Sequence, residues 1–376
     1  MTPTLKLLRE LIALPSVNPS LLPAGDPRAG EQRVAEFLAA TAGAAGLDVD
    51  LQEVLPGRWN FLTRLTPSGK VRQRILLAPH LDTVPAATDD QFDPRVRGTR
   101  LYGRGACDTK GSVAAMFTAL LALAQAKTRP ANTEIVFAGL VDEEIGQAGS
   151  RALAAARFPA DLAIVGEPTA LRVVTAHKGN LWLKLTTKGK AAHGSRPELG
   201  RNAILEMARI VQLLETGYAA ELATRRHPYL GCATVNTGTI RGGGQANIVP
   251  AKCVITIDRR TLPGETDAAV ARELKTMLRQ HGLSATVTSE KSGACRPLET
   301  DCELPLVRQF MQTVRQTEPV GANYFCDAAV LAAGGIPSVV FGPGDIAQAH
   351  TSDEWIALAS LEKARDLLVR FFGGLA

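Results

Sequence analysis

Asp142, Glu143 and Glu144 stand in a row directly after the apolar run 135–141. A run that apolar reads as a buried strand, so three acids leave the strand at the edge of a core. Carboxylates held that close and partly out of water raise one another's pKa or need a cation. At ~4 Å and an effective dielectric of ~20, each repelling pair costs on the order of 4 kcal/mol. Something positive therefore belongs beside them. The pattern recurs where His80 and Asp82 follow the run 75–79, and where Glu167 follows the run 162–166. Asp108 and His350 sit in glycine-rich turns. Histidines and carboxylates in this pattern are the ligands of a hydrolytic metal centre; closed structural zinc sites favour cysteine instead. The five candidates His80, Asp108, Glu144, Glu167 and His350 are too many for one tetrahedral ion and suit two ions sharing a bridge. Two divalent ions, three carboxylates and a shared hydroxide sum to zero charge.

These residues need a scaffold that gathers strand ends. In the first half of the chain, helical patterns at 31–45, 111–126 and 147–157 alternate with strand patterns near 49–53, 60–65, 75–78, 134–141 and 162–165. Such alternation predicts an α/β fold, a mostly parallel sheet flanked by helices, and open sheets of this kind place their sites at the carboxyl ends of the strands. Near residue 178 the character changes. Strand patterns at 181–187, 233–240, 254–259 and 285–289 combine with helices at 202–214 and 267–281. That order is a split βαβ, ferredoxin-like sheet with two helices on one face. From about 290 the first pattern returns, with helices at 304–316 and 361–372 and a strand at 338–341. The reading is a catalytic metal-binding domain made of 1–177 and 291–376, with a lid or dimerisation domain inserted at 178–290.

Bulk composition narrows the function. A length of 376 residues fits two domains, against ~150 residues for one. The net charge of +5 is spread without long basic runs, so no nucleic-acid footprint is expected. The longest apolar stretch, 113–126, is shorter than the ~20 residues a membrane span needs. The first residues read as an amphipathic surface helix and not as a signal peptide. Six cysteines without a CxxC pair read as reduced thiols of a cytoplasmic protein. The segment 103–108 has the first two glycines of a dinucleotide loop but lacks the third, and no GxxxxGK[ST] exists, which argues against nucleotide binding.

Five stretches, APHLDTVP (78–85), YGRGACDTKG (102–111), DEE (142–144), GEPT (166–169) and GPGDIAQAH (342–350), resemble the dinuclear-zinc metallopeptidase and deacylase family in the same order along the chain. That family includes acetylornithine deacetylase, succinyl-diaminopimelate desuccinylase, acetylcitrulline deacetylase and glutamate-releasing carboxypeptidases. The resemblance implies that His80 and Glu167 hold one metal, Glu144 and His350 the other, and that Asp108 bridges them beside a cis bond to Thr109. It implies zinc, with cobalt as a substitute. Asp82 would orient the His80 imidazole, and Glu143 would be the general base that carries a proton from the attacking water to the leaving amine. In the insert, His193 within AAHGS (191–195) would stabilise the oxyanion, from the other subunit of a homodimer in many relatives. Asn247 and Arg260 match positions that contact substrate; a salt bridge to a strand neighbour is the other reading of Arg260. The stretches 164–171, 175–179 and 342–355 are most similar to the acetylornithine deacetylase branch, which implies an N-acyl amino acid substrate, N-acetylornithine first, and a place in arginine biosynthesis. Desuccinylase action, carboxypeptidase or dipeptidase action, and metal binding without catalysis are the alternatives.

Overall fold

The computed structural model describes residues 1–126, 129–290 and 293–375. The chain forms two units: Met1–Thr175 with Thr300–Val320 and Cys326–Ala376, and Ala176–Glu299 with Gly321–Phe325. The insert thus runs to 299 and takes in five later residues, where the sequence pattern places its limits at 178 and 290. Residues 291 and 292, beside the second of those limits, lie outside the described residues.

In the larger unit the sheet runs in the order Asp48–Leu55, Arg58–Leu65, Thr133–Gly139, Gln73–Pro79, Leu162–Gly166, Ser338–Val340. The last four strands are mutually parallel, and the first two add antiparallel at one edge. All side chains of Thr133–Gly139 and Leu162–Gly166 are buried. This is why these strands read as continuous apolar runs and not as alternating ones. Ile75, Leu77, Ile135, Phe137, Leu162 and Ile164 point into one core with the helices Pro3–Ile12, Gln32–Ala44, Lys110–Gln125 and Leu358–Gly373. Phe117 of Lys110–Gln125 fixes that helix on the sheet, its ring centroid 5.2 Å from that of Phe137 and 6.0 Å from that of Phe61. Lys110, 1% exposed, donates from Nζ to the carbonyls of Leu11 and Leu14 at 2.9 and 2.7 Å. The start of this helix, and Asp108 just before it, are thereby held in place.

The smaller unit has the sheet order Thr234–Gly242, Lys252–Thr261, Gly179–Lys188, Thr286–Ser289, antiparallel throughout. With the helices Ala203–Leu213 and Asp267–Gln280 it is the expected split βαβ arrangement. Leu181, Leu183 and Leu185 face its core, while Trp182 between them is 44% exposed, the period of two that marks a sheet with one solvated face.

Some elements escape the sequence pattern: the strands Val174–His177 and Leu298–Glu299, the helix Asp327–Ala333, and a small sheet in which Arg100–Tyr102 lies between Arg95–Arg97 and Trp355–Ala357. Each is seven residues or fewer, too short for a periodic signal.

Candidate metal centre

Four of the five candidate ligands emerge from the carboxyl ends of the parallel strands or the turns after them: His80 after Gln73–Pro79, Glu144 after Thr133–Gly139, Glu167 after Leu162–Gly166, and His350 after Ser338–Val340. Asp108 comes from the glycine-containing loop before Lys110–Gln125. The structure brings all five together as two groups that share Asp108. His80, Asp108 and Glu167 form one and Asp108, Glu144 and His350 the other, with the ligand atoms of each group within 4.8 Å of one another. Asp108 Oδ1 lies 3.2 Å from His80 Nε2, and Asp108 Oδ2 lies 3.2 Å from His350 Nε2. His350 Nε2 is also 3.2 Å from Glu144 Oε2, and His80 Nε2 is 3.8 Å from Glu167 Oε1. The Asp108–Thr109 bond is cis.

The electrostatics of the cluster call for positive charge. Burial first, then neighbouring carboxylates, lift Glu167 and Glu143 well above the usual range. Hydrogen bonds to Asp108 and Glu144 push His350 up to about 10. Burial works against a charged His80, yet its contacts with Asp108 and Asp82 raise it well above an ordinary imidazole. Burial would also lift Asp108, but His350 and His80 hold it well below the carboxylate range. Glu144 Oε1 is buried without a hydrogen-bond partner. Clustered acids with two imidazoles among them and an orphaned buried oxygen fit divalent cations, which bind these groups in their deprotonated forms.

The shell around the ligands refines the expected role of Asp82. The closest partner of His80 Nδ1 is the Asp82 backbone carbonyl at 3.0 Å; the carboxylate stands behind it at 3.4 Å. Donation from Nδ1 to that carbonyl leaves Nε2 as the lone-pair nitrogen facing the cluster. The Asp82 carboxylate itself accepts the backbone N–H of Glu143 (3.1 Å), that of Glu144 (3.2 Å) and the Asn18 amide (2.7 Å). It therefore clamps the acidic turn as much as the imidazole.

The positive charge demanded by three adjacent acids is partly built in. Asp142 adopts φ 71°, which turns its side chain away from its two neighbours to Arg58 Nη1 and Asn18 Nδ2, each 3.0 Å away. Arg58 also binds Glu31. Glu354 accepts from Arg104 and from the backbone N–H groups of Gly105, Cys107 and Asp108. Asp327, 1% exposed, accepts from the Ser150 hydroxyl at 2.6 Å, and burial raises it to about 6. None of Asn18, Glu31, Arg58, Asp327 and Glu354 was singled out by type or spacing. Glu354 has a faint signal in its place four residues after His350.

In the smaller unit, His193 and Asn247 lie on adjoining exposed loops: His193 bridges to Ile248, and Gly194 N–H donates to the Asn247 carbonyl at 2.7 Å. His193 Nδ1 meets Ser195 Oγ at 2.7 Å. Arg260 pairs with Asp258 on its own strand, at 2.9 and 3.2 Å.

The sequence model of Peptidase family M20/M25/M40 matches residues 76–373. An acetylornithine deacetylase from Myxococcus xanthus is 31% identical over 359 residues, covering 90% of this chain and 92% of the relative. One from Edwardsiella ictaluri is 32% identical, covering 97% and 95%. Among solved structures, an M20 family metallo-carboxypeptidase from Sulfolobus solfataricus superposes with TM-score 0.79 at 21% identity, over 99% of both chains. A dinuclear metal-binding M20 peptidase from Bacillus subtilis superposes with TM-score 0.72 at 15% identity, over 98% of this chain and 96% of the other.

Proposed function

The chain belongs to peptidase family M20/M25/M40 and is a metal-dependent amide hydrolase, and we propose that its substrate is an N-acyl amino acid, N-acetylornithine first. The observation that carries the site is the placement of Asp108, one carboxylate whose two oxygens each lie 3.2 Å from a different histidine. His80 and Glu167 would hold one divalent ion, Glu144 and His350 the other, with Asp108 between them; zinc suits this histidine and carboxylate donor set and cobalt can replace it. When bound, the ions supply Lewis-acid polarisation of the acyl group and a water acidic enough to ionise near neutral pH.

The chain's own residues do the rest. Glu143 is the general base. Its carboxyl is lifted by burial and by Glu167, which suits a group that accepts a proton from water and delivers it to the departing amine. Asp82 holds the Glu143 and Glu144 backbone so that one acid serves as base and the next as ligand. His193 donates to the developing oxyanion. Its unit contains none of the five ligands, so it reaches the substrate from within the chain or from a second copy. Asn247 and Arg260 contact the substrate, Arg260 after leaving Asp258. A homodimer would form through the smaller unit, where Thr234–Gly242 is an edge strand with Ile240 58% exposed. Among the described residues no helix is long and apolar enough to cross a membrane. None of the six cysteines is in a disulfide, which fits a reducing cytoplasm.

The acetyl assignment rests on the two deacetylases above, both more than 30% identical over nearly the whole chain. Release of free amine from N-acetyl amino acids, N-succinyl amino acids and dipeptides, with zinc or cobalt supplied, tests it. N-acetylornithine is expected to give the highest kcat/KM, and chelation to abolish turnover. Preference for succinyl or dipeptide substrates would overturn the acetyl assignment, and two bound metals without any hydrolysis would favour a non-catalytic protein.

A further inference from the structure

The loop that delivers Asp108 would be unsatisfied without an anion. The backbone N–H groups of Gly105, Cys107 and Asp108 converge on one point, as in the anion-binding nests formed by successive main-chain donors. Glu354 fills it. Its Oε1 accepts from Cys107 N at 2.7 Å and from Asp108 N at 2.9 Å; its Oε2 accepts from Gly105 N at 2.9 Å and from Arg104 Nη1 at 2.7 Å. The side chain is 1% exposed. With these donors the carboxylate uses about all of its ~4 lone-pair sites. Glu354 also belongs to the segment that carries His350. Its backbone carbonyl accepts from Gly103 N at 3.1 Å, Arg104 Nη2 donates to Thr351 O at 3.0 Å, and the next residues, Trp355–Ala357, pair with Arg100–Tyr102.

We propose that Glu354 is the positioning residue of the dinuclear centre: it holds the Asp108 main chain against the His350 segment and so sets where the shared carboxylate stands. This rests on the assignment of Asp108 as the ligand common to both ions. The physical reason is the placement of the bonds. One of the four ends on the Asp108 nitrogen itself, so a displacement there moves Oδ1 and Oδ2 together, and with them both ligand groups. A glutamine cannot substitute, because its single oxygen cannot serve four donors and its NH2 would face N–H groups. Partners of this kind typically alter metal affinity about 10–100-fold when removed. Arg104 supplies one donor of the four and, through the Thr351 carbonyl, belongs to the same clamp.

The test compares Glu354→Gln, Glu354→Asp and, as a control on stability, Arg259→Met with the unaltered enzyme; Arg259 is fully buried, pairs with Glu265 and belongs to the smaller unit, which holds none of the five candidate ligands. Dissociation constants for zinc come from competition with a chelator, coordination geometry from the visible absorption of the cobalt form, and stability from the Tm of the metal-free proteins. Glu354→Gln should bind at least one ion about 10–100-fold more weakly and shift the cobalt bands. Arg259→Met should lower Tm while affinities and cobalt bands stay close to those of the parent. If Glu354→Gln does not fold, Glu354→Asp carries the test: it keeps the charge on a shorter arm and should still shift the cobalt bands. Glutamine or aspartate variants with parental affinities and spectra would overturn the proposal. So would metal losses that simply follow Tm across all three variants, since the clamp would then be scaffold alone. An unaltered enzyme that binds fewer than two ions would refute the dinuclear assignment itself, and this inference with it.

Discussion

Replacing Arg58 by methionine isolates the cation that the fold places under the acidic turn. Arg58 donates from Nε to Glu31 Oε2 at 2.8 Å, from Nη2 to Glu31 Oε1, and from Nη1 to Asp142 Oδ1 at 3.0 Å. Glu31 is fully buried, and its Oε1 also accepts the Asp142 backbone N–H at 3.1 Å. Hydrogen bonds to charged groups contribute about 1.5–3 kcal/mol each, but the desolvation of the guanidinium offsets much of that sum. What remains is the cost of two carboxylates left without their partner, about 3–5 kcal/mol for a broken buried pair. At about 2–4 °C per kcal/mol for a unit of this size, Tm should fall by about 6–20 °C. Burial already raises the Glu31 carboxyl, and Arg58 acts to lower it, so the substitution lifts it further. An acid whose folded pKa stands above its unfolded value binds more protons folded than unfolded. Its contribution to stability therefore falls as pH rises through that window. The Arg58→Met deficit should accordingly be larger near pH 8 than near pH 5. The assay is calorimetry of the metal-free proteins across that range, with Glu31→Gln/Arg58→Met closing a double-mutant cycle. The charge-free pair should be less damaged than Arg58→Met alone. A deficit below about 1 kcal/mol, or one that grows on acidification, would show that Arg58 does not compensate these buried carboxylates.

Glu143→Gln should retain two ions and lose at least ~100-fold in kcat, whereas Glu144→Gln should weaken one ion; equal metal loss in both would contradict the division of base and ligand. His177 is fully buried, and burial lowers its pKa from 6.5 to about 4. A folded value below the unfolded one means the unfolded chain binds more protons between those values, so stability falls as pH drops from 6.5 towards 4. The full drop is ~3 kcal/mol at ~1.4 kcal/mol per unit. His177→Asn should flatten the acid limb of a denaturant-unfolding series, and an unchanged slope would show that His177 is not its source.

The residues of the candidate cluster were legible because their place at strand ends and in turns is a local property. His80, Glu144 and Glu167 each lie within three residues of an apolar run that the parallel sheet must bury on both faces, so the acids and imidazoles just beyond the run fall at a strand's carboxyl end. The insert announced itself in the same way, through the two-residue period of Gly179–Lys188. What answers those charges was not legible. Arg58 meets Asp142 across 84 residues and Arg104 meets Glu354 across 250, and an arginine that neutralises a buried acid has the same sequence signature as one on the surface. Asp142 shows the difference most directly. The sequence places it with Glu143 and Glu144 as three equivalent charges. The left-handed backbone at φ 71° separates it, handing Asp142 to Arg58 and leaving Glu144 to His350. Arg260, open to two readings in the sequence, rests on Asp258, because residues two apart on a strand project from the same face. Strand position follows from the hydrophobic pattern over a few residues. The partner of a buried charge depends on which distant segments the finished fold packs together, and burial, which makes that choice matter energetically, exists only once the chain has folded.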